Sequence, residues 1–154
     1  MTKLEELEQL SSDNDIYLFY KNFKSEKIKG LYADGIIALS NNLFNDAERS
    51  CILAEEVGHY FTSSGNILNN SDQNAAKQEL KARRYAHDLL IDYDLLYQAK
   101  LTGCSNIAEV AECLGITEEF LKEALENLES RYGSNYHVGQ YRISFNPFDI
   151  ELIN

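Results

Sequence analysis

The sequence has few basic residues and no long apolar run. Its 14 Lys and Arg oppose 25 Asp and Glu, so the formal net charge is −11, and the pI is about 4.6. Nucleic-acid binding requires a concentrated basic surface, so this balance argues against direct nucleic-acid binding and favours a basic protein partner. No apolar run is long enough to span a membrane, and no signal peptide is recognisable. We therefore expect a cytoplasmic protein with no membrane partner.

Cysteine is also scarce, and its spacing excludes the common cysteine-based metal sites. Cys51, Cys104 and Cys113 make an odd number with no C-x-x-C pattern, which favours reduced thiols. Cys51 precedes Glu55 by one helical turn, but a buried structural cysteine is the more common outcome for such a residue. The chain has no internal repeat, and 154 residues with 44% hydrophobic content suffice for one core. We expect a single domain over 1–154 and leave its oligomeric state open.

Helical periodicity and strand-like alternation both occur, so we expect an α+β fold. Asp34-Gly35 is a strong hairpin signal, and Asn45-Asp46 offers an N-cap for a helix running through His59 to about Ser63. The other expected elements are a helix over 2–10, a strand over 15–20, hairpin strands over 27–32 and 36–39, a turn over 64–66, a polar loop over 69–74, a helix from 77 to as far as 100, a helix and then a turn over 106–117, a helix over 118–131, a hairpin over 136–145 and an extended tail from Pro147.

The most informative stretch is Leu53-Ala54-Glu55-Glu56-Val57-Gly58-His59, which lacks only one histidine of the zinc-protease pattern H-E-x-x-H. Glu55 and His59 are four residues apart and share one helix face, while Glu56 points about 100° round the helix, as a general base would. Zinc accepts carboxylate oxygen as well as imidazole nitrogen, so Glu55 can replace the missing histidine. The alternative is a solvated helix face that carries two glutamates by chance.

A third ligand is expected from the following helix, where Glu79 begins a stripe with Ala82, Ala86 and either Leu89 or Leu90. Gly58 inside a helix costs about 1 kcal/mol relative to alanine, so we expect it to permit close approach of another segment. The alternative for Glu79 is an ordinary salt bridge to a nearby Lys or Arg, or to a partner helix.

Convergence of Glu55, Glu56 and Glu79 would concentrate negative charge. Two like charges about 5 Å apart repel by roughly 3 kcal/mol at an effective dielectric of about 20. The cluster therefore needs a cation, or some of its carboxylates must be protonated. We expect Zn²⁺ because of His59, although Mn²⁺ or Fe²⁺ also suits two carboxylates and one imidazole. A hydrogen-bonded carboxyl cluster without metal is the alternative.

These residues carry a family resemblance. The run Cys51-Ile52-Leu53-Ala54-Glu55-Glu56-Val57-Gly58-His59, followed by Glu79-x-x-Ala82-x-x-Tyr85-Ala86-x-x-Leu89-Leu90, resembles the ImmA/IrrE metallopeptidase family. The resemblance implies a zincin-like, mostly helical fold with a small antiparallel sheet over the active-site helix. It also implies that Glu55, His59 and Glu79 bind metal and that Glu56 is the catalytic base.

The form L-A-E-E-x-G-H is similar to that of a subgroup carried by phages and integrative elements. The resemblance implies an endopeptidase that cleaves or inactivates the cognate repressor protein of the mobile element. The alternatives are a non-catalytic antirepressor with a degenerate peptidase fold, and an acidic interaction module without metal.

Several other residues receive expectations of lesser weight. Residues 104–131 resemble a helix-turn-helix, but the second helix is acidic, which argues against DNA reading and favours packing or repressor docking. We expect His87 to be a partly exposed helix residue and His137 a surface strand residue, neither of them a ligand. Tyr32 and Tyr60 are candidates to stabilise an oxyanion. The strand at 31–33 would either hold an extended peptide or simply complete the core.

Overall fold

The computed structural model describes residues 1–63, 72–145 and 147–153, and these ranges contain both helices and strands. This confirms the expected α+β class. In chain order the described elements are α1 (Lys3–Asp13), β1 (Tyr17–Lys21), β2 (Gly30–Ala33), β3 (Ile36–Ser40), α2 (Asp46–Thr62), α3 (Asp72–Leu90), α4 (Tyr93–Leu101), α5 (Ile107–Leu114), α6 (Glu118–Tyr132), β4 (Asn135–Val138), β5 (Tyr141–Ser144) and β6 (Asp149–Leu152).

The chain divides into two compact units, Met1–Leu90 and Ile91–Asn154. The first unit contains α1 to α3 and the sheet formed by β1, β2 and β3. The second contains α4 to α6 and the sheet formed by β4, β5 and β6. The expectation of a single domain over 1–154 stays a prediction.

The first sheet is mixed rather than purely antiparallel, with strand order β1-β3-β2. β2 and β3 form the expected hairpin, because Asp34 and Gly35 adopt φ values of 46° and 79°, as a two-residue type I′ turn requires. β1 pairs in parallel with β3, which corrects the expectation of an antiparallel sheet. The stretch from Lys21 through β2 is long enough to serve as the crossover that a parallel pair needs.

Helix α2 begins where its capping sequence predicts. The Asn45 side chain accepts a hydrogen bond from the Glu48 amide, which satisfies one of the free N–H groups of the first turn. The helix buries its apolar side against the first sheet and α3. A Cβ added at Gly58 would lie 2.3 Å from the Ala82 carbonyl oxygen, so glycine is required for this approach. The expected role of Gly58 is confirmed.

Helix α3 differs from its prediction at both ends. It begins at Asp72, so the loop predicted over 69–74 is wrong at 72–74, and the rest of that loop, with the turn predicted at 64–66, lies outside the described residues. It ends at Leu90 rather than near Lys100, because Asp92 caps a separate helix, α4, by accepting a hydrogen bond from the Leu95 amide. Its stripe is as predicted, since Ala82, Ala86 and Leu90 are fully buried.

The second unit joins three helices to an antiparallel sheet with strand order β4-β5-β6. Gly115 ends α5 in a left-handed conformation with φ 73°, and the hairpin predicted over 136–145 is present as β4 and β5. The extended conformation predicted after Pro147 is present, but Asp149–Leu152 is not a tail, because it forms β6 on β5. None of the helices in the described ranges is both long and apolar enough to cross a membrane.

Lys100 connects α4 to β6, and we expect Lys100→Met to destabilise the protein. Its Nζ lies 2.8 Å from Asp149 Oδ1 and donates to the Ile150 carbonyl oxygen at 2.9 Å. The loss should be roughly 1 kcal/mol, since solvent screens both half-exposed groups. Hydrogen bonding to Lys100 holds the pKa of Asp149 below its ordinary value of 3.8, so this stabilisation exists above about pH 4 and disappears as pH falls further.

Urea unfolding of the variant and the parent protein measures this loss. Lys122→Met is the matched control, because Lys122 makes only an exposed contact of 3.3 Å with Glu118 one turn away, and should cost about half as much or less. An equal loss in both variants would show that the Lys100 contacts are no stronger than a surface ion pair.

Candidate metal centre

Helices α2 and α3 bring His59 and Glu79 into direct contact. His59 Nε2 lies 3.0 Å from Glu79 Oε1. The two side chains differ in exposure, at 19% for His59 and 62% for Glu79, so the pair lies at the edge of the helix interface. His59 directly follows Gly58, where the two backbones approach most closely. The glycine therefore sets the distance across which the imidazole and the carboxylate meet.

Glu56 has a strongly raised pKa. Burial, followed by the negative charges of Glu55 and then Glu79, raises the pKa of Glu56 from 4.5 to about 7. The strand β2 crosses directly over this carboxylate, since a Cβ added at Gly30 would lie 3.3 Å from Glu56 Oε1. A carboxyl group with a pKa near 7 exchanges protons readily at neutral pH, which is the property that general-base catalysis needs.

The chain matches a known protein family. The sequence model of a peptidase family, described as the IrrE N-terminal-like domain, matches residues 12–126. The chain belongs to this IrrE N-terminal-like family. No match was found among curated proteins, and none among solved structures. Membership confirms the resemblance to ImmA/IrrE proteins and indicates a metallopeptidase-type function with a metal cofactor, typically zinc. The match spans α2, α3 and all four candidate site residues.

We tested whether the residues present suit a metal ion. Within residues 1–63, 72–145 and 147–153, no three His, Cys, Asp or Glu side chains converge closely enough to hold one. The pair of His59 and Glu79 nevertheless has suitable spacing, because two ligands of a tetrahedral zinc ion lie about 3.3 Å apart and these atoms are 3.0 Å apart. Glu55 is one turn before His59 and near enough to act on Glu56. The donor set therefore fits a divalent ion, provided that the Glu55 carboxylate moves toward the pair.

The two tyrosines proposed for the oxyanion use their hydroxyls elsewhere. The Tyr32 hydroxyl accepts a hydrogen bond from the Gly35 amide at 3.3 Å, within the hairpin of the first sheet. The Tyr60 hydroxyl donates to the Asn14 carbonyl oxygen at 3.5 Å, at the end of α1. Their rings pack edge to face, with centroids 6.2 Å apart. The Tyr32 hydroxyl therefore supports the turn between β2 and β3, and the Tyr60 hydroxyl supports the end of α1.

The remaining histidines and one glycine complete the description of site candidates. His87 is only 1% exposed, so the expectation of a partly exposed residue is wrong. It follows the buried Ala86 and precedes the buried Leu90 by one turn, on the side of α3 that packs inward. His137 is exposed on β4, as expected. Gly30 is a site residue that the sequence pattern does not reveal, because glycine in a strand fits a bulge equally well.

Proposed function

We propose that this protein is a metal-dependent endopeptidase. The observation that carries the proposal is the contact between His59 and Glu79 beside a glutamate whose pKa is raised to about 7. A metallopeptidase needs metal-binding side chains and a general base in one cluster. Helix α2 supplies Glu55, His59 and the proposed base Glu56, and helix α3 supplies Glu79.

Each residue of the cluster has a defined part in the proposed reaction. Glu55, His59 and Glu79 would hold the ion, which is Zn²⁺ or alternatively Mn²⁺ or Fe²⁺. A bound ion supplies Lewis-acid polarisation of the scissile carbonyl and of the attacking water. Glu56 takes a proton from that water and delivers it to the leaving amine. Partial burial of Glu56 beside β2 keeps the pKa of this carboxyl group near neutrality.

The strand β2 is the proposed platform for the substrate backbone. It is an edge strand, because the order of the sheet is β1-β3-β2, and edge strands offer free N–H and C=O groups to an extended peptide. Leu31 is 53% exposed on this strand, and Gly30 lies over Glu56. A peptide added to β2 would therefore run past the proposed general base.

The proposed substrate is the cognate repressor of a phage or integrative element, cleaved in the cytoplasm to switch on the genes of the element. The net charge of −11 suits a repressor, since DNA-binding proteins present basic surfaces that an acidic protein attracts. The same charge opposes direct binding of the peptidase to DNA.

A non-catalytic antirepressor is the second candidate. One observation favours it: across the described parts of the chain, no three potential ligands converge as a formed metal site would require. A protein of this class would use the peptidase fold to bind and disable the repressor without cutting it.

The experiment is metal analysis combined with a cleavage assay on the cognate repressor. The chain, purified without a chelator or a metal-affinity tag, should carry one divalent ion and cut the repressor at a defined bond. Glu79→Ala should lose both the ion and the cleavage. Gln78→Ala, an exposed neighbour on α3, is the matched control and should retain both.

The outcomes separate the candidates. Loss of repressor function without any cleaved product, in the presence of bound metal, would support the antirepressor. The peptidase would be contradicted if the purified chain binds no metal and if Glu79→Ala leaves its action on the repressor unchanged.

A further inference from the structure

The second unit contains a pair of cysteines in contact. Cys104 Sγ and Cys113 Sγ are 3.4 Å apart. Cys104 is half-buried in the turn after α4, and Cys113 is exposed in the last turn of α5. The two thiols are therefore adjacent to each other and accessible from solvent.

The surrounding backbone holds Cys104 close to α5. The Asn106 side chain caps the helix by accepting from the Glu109 amide at 2.9 Å. The Glu109 carboxylate in turn accepts from the Ser105 amide at 2.9 Å, so the residue next to Cys104 is tied to the first turn of the helix. This pair of bonds differs from a capping box in one respect, since the Glu109 carboxylate accepts from the residue before the N-cap rather than from the N-cap itself. It fixes the turn relative to α5 before any bond forms between the sulfurs.

We propose that Cys104 and Cys113 form a reversible intramolecular disulfide, with a small-molecule disulfide such as oxidised glutathione as the oxidant. The Cys104 thiolate attacks one sulfur of the oxidant, forming a mixed disulfide and releasing one thiolate. Cys113 then loses its proton to solvent and attacks Cys104 Sγ, which releases the second small thiolate. Two protein thiols are oxidised, one small disulfide is reduced to two thiols, and the atoms and electrons balance.

The contact also indicates which sulfur attacks first. Hydrogen bonding to Cys104 raises the pKa of the Cys113 thiol, and burial and neighbouring negative charges raise it further. Cys113 therefore keeps its proton to a higher pH than an ordinary thiol does. Since the thiolate is the nucleophile, Cys104 is the attacking residue and Cys113 the resolving one.

Thiol–disulfide equilibrium of the full-length chain tests the proposal. The chain is equilibrated with mixtures of reduced and oxidised glutathione, quenched by acid, alkylated and mapped by mass spectrometry. Since the folded structure brings the sulfurs into contact, the effective concentration of the pair should be at least about tenfold higher in the native chain than in urea. The mapped product should link the peptide containing Cys104 to that containing Cys113, and a reductant should reverse it.

Variants of each cysteine provide the controls. Cys113→Ser should stop at a mixed disulfide on Cys104, whereas Cys51→Ser should leave the internal disulfide intact, because Cys51 is a buried residue of the first unit. Equal effective concentrations in native and denatured chains would overturn the proposal. So would a native chain that forms only mixed or intermolecular disulfides.

Discussion

Replacing Glu56 by Gln should lower repressor cleavage about 10³-fold, because the amide cannot accept a proton from water. The same change should stabilise the metal-free protein near neutral pH. Glu56 is mostly buried beside the negative charges of Glu55 and Glu79, and its pKa is raised to about 7. The glutamine is nearly isosteric and carries no charge, so it removes this repulsion. A loss of function and a gain of stability from one substitution are expected where a group is placed for catalysis.

The gain should depend on pH in a defined direction. The pKa of Glu56 is about 7 in the folded chain against an ordinary value of 4.5, so folding favours the protonated form. Below about pH 4.5 the Glu56 carboxyl group is therefore protonated in both states and does not lower the free energy of unfolding. That free energy falls as pH rises, and the loss is complete above about pH 7. The difference in pKa corresponds to about 3 kcal/mol as an upper bound. Glu56→Gln should remove this penalty above about pH 7 and change little below about pH 4.5.

Urea unfolding of chelator-treated protein at several pH values measures this effect. Glu112→Gln, an exposed glutamate on α5, is the matched control and should show no such pH-dependent gain. A Glu56→Gln protein that is no more stable than its parent above neutrality would contradict the proposed environment of this carboxylate. A variant that still cuts the repressor at the parent rate would show that Glu56 is not the base.

Gly58→Ala should cost about 3 kcal/mol or more of unfolding free energy. In an ordinary solvent-exposed helix the same change raises the unfolding free energy by up to about 1 kcal/mol. An exposed helix and the close contact of α2 with α3 therefore predict opposite signs for the change in stability. The added Cβ would lie 2.3 Å from the Ala82 carbonyl oxygen and 3.1 Å from its Cα. A backbone cannot rotate away as a flexible side chain can, so α2 and α3 must separate.

Separation of the helices should also disrupt the candidate metal centre. His59 follows Gly58 and reaches Glu79 across the same interface, so metal affinity should fall together with stability. Ala82→Gly in the Gly58→Ala background should not rescue either property, because the clash involves the backbone of residue 82 rather than its methyl group. Stabilisation by Gly58→Ala, or rescue by Ala82→Gly, would contradict the close contact.

Local signals in the sequence predicted most of the elements near the site. Asn45 and Asp34-Gly35 specify a helix start and a hairpin through hydrogen bonding and positive φ within a few residues. The capping role of Asp92 was equally local, but the apolar pattern on both sides concealed the break between α3 and α4. The parallel pairing of β1 with β3 leaves no local signal, because β2 separates the two strands in the chain. The addition of β6 to β5 escapes prediction for another reason, since Pro147 between them favours an unpaired tail.

The sequence by itself determined which candidate site residues the chain offers: two glutamates and a histidine in one register, a glycine in the same helix and a third glutamate on the next helix, since helical periodicity alone assigns these residues to faces. Only the tertiary structure decided that His59 meets Glu79, that Gly30 covers Glu56 and that the pKa of Glu56 rises to about 7. Distance, burial and charge at one point depend on how separate segments pack, and no periodicity along a single segment specifies that packing.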